Sequence, residues 1–515
     1  MNPVEKNIEL LRDLWLEHTG QAGARLIVLR VPDNADRVLD TFFALQMEST
    51  AWDTPDLFIR FDEPFDTSFG YSRVLCESLL ERYRDTFDED EIGTNWPFDQ
   101  VPRYDSAVGF LMLLNSFALH HREHFRYVAA VLQPHPVNAG GAWERWLETA
   151  LETPVPQPIR LVVVETQTDR RWQSLADRFP HDVQVVEANI DIFDIMRETA
   201  AQSGGGGAAG ACRQIMADIM SLMTRGSAEQ VAARADKGLK IVQREQWLDQ
   251  EVVLRMMMAG AWVKDADFEH AVVSYREARD CAIRAEEQKM PGAAQLVMQT
   301  WFGEGGAWLA AGEMKEAARA YKAGAEQARC VPDPMFVVEG LRMTGFCLAR
   351  ARQADAAEEH YILAIREAAE IPSAQRATTT LPVVLQDLMR FYDARRVKAL
   401  EASAQDYETG IADILGKAEK QASRFGACPS ASEIVRIEAT MDQRLEENFI
   451  ACQKKREALI AGGDSHFRNV IDAGRELLHS RWNGLPEIKH PLDKTEAEVT
   501  QLLDADALNQ ANTTE

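Results

Sequence analysis

A chain of 515 residues has room for several domains, and its 46% hydrophobic and 27% charged content is ordinary for a globular protein. The net charge of −25 disfavours nucleic acid and anionic membranes as partners, because phosphate contacts need a basic patch and no basic run stands out. Seven cysteines without a CxxC pair read as free thiols of a reducing compartment, and the longest apolar run, Val108 to Leu119, is too short to span a bilayer, so a cytoplasmic protein is expected.

The opening MNPVEKNIELLRDLWLEH has the pattern of an acidic amphipathic helix rather than a signal peptide. Candidate strands follow at 25–31, 56–61, 127–132, 160–165 and 183–186. Helical patterns at 35–46, 71–83, 106–121, 143–151 and 169–178 alternate with them. That alternation predicts an α/β domain with a parallel sheet over 1–202. SGGGGAAGA at 203–211 reads as a flexible linker. Everything beyond it reads as helix, with repeats over 212–375, a helical capping region over 376–485 and a polar tail over 486–515.

Within the helical region three windows, 259–278, 305–324 and 345–364, share a spacing. Ala259, Gly305 and Gly345 open them, and Trp262, Trp308 and Leu348 follow. Then come Ala271, Ala317 and Ala357, the tyrosines Tyr275, Tyr321 and Tyr361, and finally Ala278, Gly324 and Ala364. This pattern resembles the tetratricopeptide repeat, in which small residues let paired helices approach and aromatics fill the groove. The tyrosines are 46 and 40 residues apart, so the helices or loops exceed that family's norm. A weaker copy at 225–242 keeps Gly238 and lacks the tyrosine. The resemblance implies an all-α solenoid.

The stretch LIVLRVPDNADRVL, Leu26 to Leu39, has the strand–loop–helix layout of a phosphate loop. Aligned on G-x-x-x-x-G-K-[ST], it places Val31 and Asp36 at the glycines, Arg37 at the lysine and Val38 at the hydroxyl. Pro32 removes a donor, while Asp33 and Asp36 set negative charge against a polyphosphate. The segment 159–200 resembles the late strands and helices of P-loop ATPases of the STAND and AAA-like kind, and an ATPase domain followed by helical repeats is that family's order. The third strand, YVAAVLQPHPV, ends in Gln133, Pro134 and His135 without the acidic pair the family uses for magnesium and water. Asp62 and Glu63 imitate such a pair, but on the second strand. The resemblance therefore implies a degenerate, P-loop-NTPase-like module, a pseudo-ATPase.

Other motifs have plain readings. HHREH (His120 to His124) offers histidines at i and i+4 but lacks the metalloprotease glutamate, and a polar helix end suits it. DEDE (Asp88 to Glu91) lacks calcium-loop spacing and reads as a solvated loop. No nucleophile motif occurs, so no enzyme, metal or cofactor is expected. By the repeat family's geometry the first helix of each repeat lines the groove. Met256, Lys264, Gln299, Phe302, Arg342, Phe346 and Arg350 match those positions, a mix of aromatic and basic groups suited to an acidic or amphipathic protein segment. The expectation is a non-catalytic scaffold, adaptor or chaperone holding a protein client. The Ala- and Arg-rich composition suggests a bacterial assembly. The alternative is a nucleotide-responsive switch of STAND type that holds ATP through Arg37.

Overall fold

The computed structural model describes residues 3–20, 24–47, 54–85, 96–137, 141–153, 158–192, 195, 197–199, 207–480 and 482. Its first part runs α1 (Pro3–Thr19), β1 (Leu26–Val31), α2 (Asp36–Met47), β2 (Leu57–Phe61), α3 (Ser68–Asp85), α4 (Ala107–His120), β3 (Val128–Leu132), α5 (Ala142–Glu152), β4 (Ile159–Thr166), α6 (Gln173–Arg178) and β5 (Val183–Glu187). The strands form one parallel sheet in the order β2-β3-β4-β1-β5. Strands β1 and β3 are buried at every position, as parallel strands covered on both faces must be, which is why they read as unbroken apolar runs.

Alternation along β2 shows the two layers. Phe58 meets Trp15 of α1 and Phe42 of α2 at 4.7 and 5.9 Å, whereas Phe61 points to the other face and meets Phe110 of α4 edge-on at 5.5 Å. Tyr71 of α3 joins Trp143 and Trp146 of α5 on that second face. Helix α1 is pinned by the Trp15 indole, which donates to the buried Asp56 at 2.7 Å. Asp56 also accepts from the Arg126 guanidinium at 2.7 Å and from the Tyr127 N–H at 3.1 Å. Because β1 connects toward β2 and β4 connects past β1 to β5, the two chain paths diverge at the carboxyl ends of β1 and β4. In such sheets that divergence opens a crevice.

The second part is helical: α7 (Ala208–Arg225), α8 (Ala228–Arg244), α9 (Leu248–Lys264), α10 (Phe268–Glu287), α11 (Ala293–Ala310), α12 (Met314–Ala328), α13 (Met335–Arg350) and α14 (Ala354–Ala369), then α15 (Leu381–Ala422), α16 (Ala431–Ala461) and α17 (Ser465–Leu477). This is a stack of antiparallel helix pairs, an all-α solenoid of tetratricopeptide-like repeats. The expected linker at 203–211 lies partly outside the described residues. From Ala208 onward it is the first turn of α7, as the high helix propensity of alanine favours. The DEDE loop and the tail 486–515 also lie outside the described residues.

The chain divides into two compact units, and the division runs through α15 and α16. Residues 404–453 belong with the α/β part, so the region expected to cap the repeats contributes to both units. Within the first unit Leu415 joins the main core, while Ala418, Ala422, Ile434 and Ile437 enclose Phe69 of α3. Glu419 caps the start of α3, accepting from the Ser68 N–H at 2.5 Å and its hydroxyl at 2.7 Å. Glu438 pairs with Arg73 at 2.9 Å. Helix α15 is kinked at Asp393 (φ −147°, ψ 76°), whose carboxylate accepts from the Arg396 N–H at 2.9 Å and so caps the helix that resumes there.

Candidate functional site

The crevice is laced shut by its own side chains. Arg30 lies at the end of β1, donating to Glu165 of β4 at 2.7 Å, to Glu187 of β5 at 2.7 Å and to Gln173 of α6 at 2.9 Å. Glu165 also accepts from the Trp172 N–H at 2.8 Å. The loop after β1 is short: the Ala35 N–H bonds to the Pro32 carbonyl at 3.0 Å, and α2 begins at Asp36. The Gln167 N–H bonds to the Val31 carbonyl at 2.8 Å. Asp33 takes a hydrogen bond from the Thr168 hydroxyl at 2.5 Å, and the Thr168 and Thr166 hydroxyls hold its carboxyl below the usual range. A phosphate cradle needs several free N–H groups and a cation aimed inward. Here the Ala35 and Gln167 donors are already engaged, a carboxylate stands in the loop, and Arg37 is exposed.

Asp62 and Glu63 follow β2, the edge strand, with β3 and β4 between them and β1. Glu63 instead neighbours the buried Tyr71 hydroxyl, whose pKa is raised by burial and then by Glu63 and Asp62. Among the described residues no group of three or more His, Cys, Asp or Glu is placed to hold a metal ion.

The histidines after α4 do not form a chelate. His121 is buried against Phe117 and Tyr83, with ring centroids at 4.8 and 5.7 Å. Burial, and then His120 and His124, push its pKa from 6.5 down to about 4. The unfolded chain therefore takes up a proton that the folded chain refuses across this window. Stability present above pH 6.5 is lost as the pH falls toward about 4. His121→Phe should shrink the drop in denaturant midpoint between pH 7 and pH 5; an equal drop in both proteins would refute the assignment.

The repeat spacing becomes packing in the second unit. Added to Gly305, a Cβ would lie 3.0 Å from the Tyr321 ring; at Gly345 it would lie 3.1 Å from the Tyr361 ring, and at Gly324 2.9 Å from the Phe302 ring. Ala271, Ala278, Ala317, Ala357 and Ala364 are fully buried. The 46-residue step has its source in α10, which has 20 residues against 15 in α12. Sequence reading passed over Arg279 and Glu304, which join α10 to α11 at 2.6 Å, with the guanidinium 3.5 Å over the Trp301 ring. A glutamate inside an otherwise apolar first helix was the available signal.

First helices also touch one another along the stack, α9 meeting both α7 and α11. Of the groove residues expected from sequence, Phe302 and Phe346 come together around Tyr321 and Cys347. Met256 lies half-buried one repeat earlier, against the cluster of Val252, Ala278, Cys281, Ala282 and Val297. Gln299 is half-buried. Arg350 is exposed and stacks over Phe346 at 4.7 Å. The other two cations are engaged within the protein. Lys264 donates to the Met223 and Gly226 carbonyls at 3.1 and 2.5 Å, closing the end of α7. Arg342 pairs with Glu339 and Asp387, both at 2.7 Å. The inner face is thus mainly apolar, and Lys264 and Arg342 do not add open positive charge to it.

No protein-family model and no curated protein matches the chain. Among solved structures it is similar to the apo form of RapI, at 12% identity and TM-score 0.32 over 55% of this chain and 80% of that one. It is also similar to a Rap protein complexed with Competence and Sporulation Factor, at 12% and 0.29 over 55% and 78%. A third is a Signal Transduction ATPase with Numerous Domains protein with a tetratricopeptide repeat sensor from Pyrococcus horikoshii, at 10% and 0.21 over 90% and 94%. At these scores the likenesses carry no inference about function. Among the described residues no helix is long and apolar enough to cross a membrane.

Proposed function

We propose that the chain is a non-catalytic adaptor or chaperone whose repeat array holds a segment of a protein partner along its first helices, while the α/β unit is a pseudo-ATPase module kept for packing. The observation that carries this reading is the half-open apolar stripe on α9, α11 and α13. Met256 and Met343 each pack against one core cluster and Phe302 and Phe346 against two, and all four side chains remain partly exposed. Methionine and aromatic side chains left in that state form adaptable contact surfaces. Exposed Arg350 favours a segment carrying a carboxylate beside its apolar residues. The closed crevice and the short β1–α2 loop support a module without nucleotide chemistry.

The test uses Gln299→Glu with Arg350→Glu, because neither side chain holds an ion pair among the described residues. Phe302→Ala would also remove the ring that fills the space at Gly324. The double variant should melt like the wild type and recover the partner from host extract about tenfold less well. Undiminished recovery would refute the inner face as the binding surface.

A further inference from the structure

The first helix of the repeat array, α7, carries three methionines on one face. Met216, Met220 and Met223 stand four and three residues apart, so each lies one turn from the next. Six of the chain's 17 methionines fall in α7 and α9, more than filling a core asks for. The buried face of α7 is already occupied, with Ile215 and Ile219 packed among Val231, Ala235 and Leu239 of α8. The methionines border that face. Met216 and Met223 are half-buried against it, and Met220 is 43% exposed. The Met223 methyl group reaches across to α9, where a Cβ added at Gly260 would lie 3.4 Å from it. The charged groups nearby are engaged: Asp218 pairs with Arg234, and Lys264 holds the Met223 carbonyl at 3.1 Å, which fixes the last turn of α7. Three neutral thioether sulfurs therefore line the solvent edge of this face.

We propose that Met216, Met220 and Met223 bind a soft monovalent metal ion, copper(I), through their thioether sulfurs. Helix neighbours one turn apart have Cβ atoms about 5–6 Å apart, and the unbranched methionine side chain has three rotatable bonds, so the sulfurs can close on one ion. Thioethers select copper(I), whereas zinc and the harder divalent ions ask for imidazole, thiolate or carboxylate. Here Asp218 is engaged, and Cys212, one turn before Met216, is buried, with its thiol pKa raised by that burial. A thioether has no proton to release, so binding needs no deprotonation. None of Met256, Phe302, Met343 and Phe346 is a ligand, so the site stands or falls independently of the proposed protein binding.

The experiment is a titration of the full chain, its accessible thiols blocked with N-ethylmaleimide, with silver(I) nitrate in chloride-free buffer. Silver(I) is a redox-stable probe of the same ligand preference, and isotope-labelled methionine methyl signals report it by NMR. The signals of Met216, Met220 and Met223, assigned by single changes to Leu, should move together and saturate at about one equivalent. Met47 and Met112 are 42% and 38% exposed, and each is the only methionine of its helix. They should need about tenfold more silver. Met216→Leu with Met220→Leu and Met223→Leu nearly conserves volume, so this triple variant should melt like the wild type and lose that first equivalent. In anaerobic competition with bicinchoninate, the wild type should withdraw more copper(I) than the triple variant, by about one equivalent. Movement of Met47 and Met112 in step with the three, or equal metal uptake by the triple variant and the wild type, would overturn the proposal.

Discussion

Replacing Arg30 by Ala is expected to cost the first unit about 3–5 kcal/mol, a large fraction of the stability of any domain. The Arg30 and Glu165 side chains are 4% and 1% exposed, so the pair is held almost without water. Without the guanidinium, Glu165 keeps the Trp172 N–H at 2.8 Å and no counter-charge within its own hydrogen bonds. Glu187 and Gln173 are better placed to lose Arg30, because both reach solvent. Glu165→Gln with Arg30→Met should cost less than Arg30→Ala alone, because no charge is then stranded in the interior. Guanidinium unfolding followed through the first unit's transition measures both. A loss below about 1 kcal/mol for Arg30→Ala would mean that water reaches Glu165 and that the pair is not a closed interior bridge.

A fragment of residues 1–202, ending at the glycine run, is expected to aggregate or to lose cooperative unfolding, because it lacks the hairpin made by residues 404–453. Without that hairpin Phe69 loses Ala418, Ala422, Ile434 and Ile437, the α3 start loses its Glu419 cap, and Arg73 loses Glu438. Leu415 also leaves the main core. Exposing a contiguous apolar patch of this kind is a route to association. Light scattering and near-UV circular dichroism of the fragment decide it. A monomeric fragment with a sharp transition would show that the α/β part is self-sufficient.

The strands were legible because a parallel sheet covered on both faces demands continuous apolar runs, and such runs stand at 25–31 and 127–132. The repeats were legible because close helix approach demands small residues at set distances from an aromatic, as Gly305 with Tyr321 shows. The strand order was not legible, since an apolar run does not name its neighbours. The role of Arg30 was not legible either, because its two carboxylates lie more than a hundred residues away. The hairpin was missed for a related reason: periodicity in α15 and α16 shows that a face is buried, and not against what. Lys264 and Arg342 were expected to charge the groove. Their spacing says which helix face they occupy, while the Gly226 carbonyl and Asp387 that engage them belong to other elements. The turns hid a further regularity. Ala266 and Arg352 adopt left-handed backbone at φ near 60° where Gly312 does in the middle repeat, so only one of three equivalent turns carried the residue that marks it.

Whether the first helices of the repeats hold a protein segment is tested most directly by photocrosslinking in the living host. A benzophenone amino acid placed at Gln299 faces the half-open inner stripe, and the same group at Lys322 faces solvent from a second helix. The expected result is a discrete adduct at Gln299 that disappears with Arg350→Glu and is absent at Lys322. The same adducts from both positions, or none at Gln299 under conditions where the protein is folded, would contradict the proposed inner-face binding.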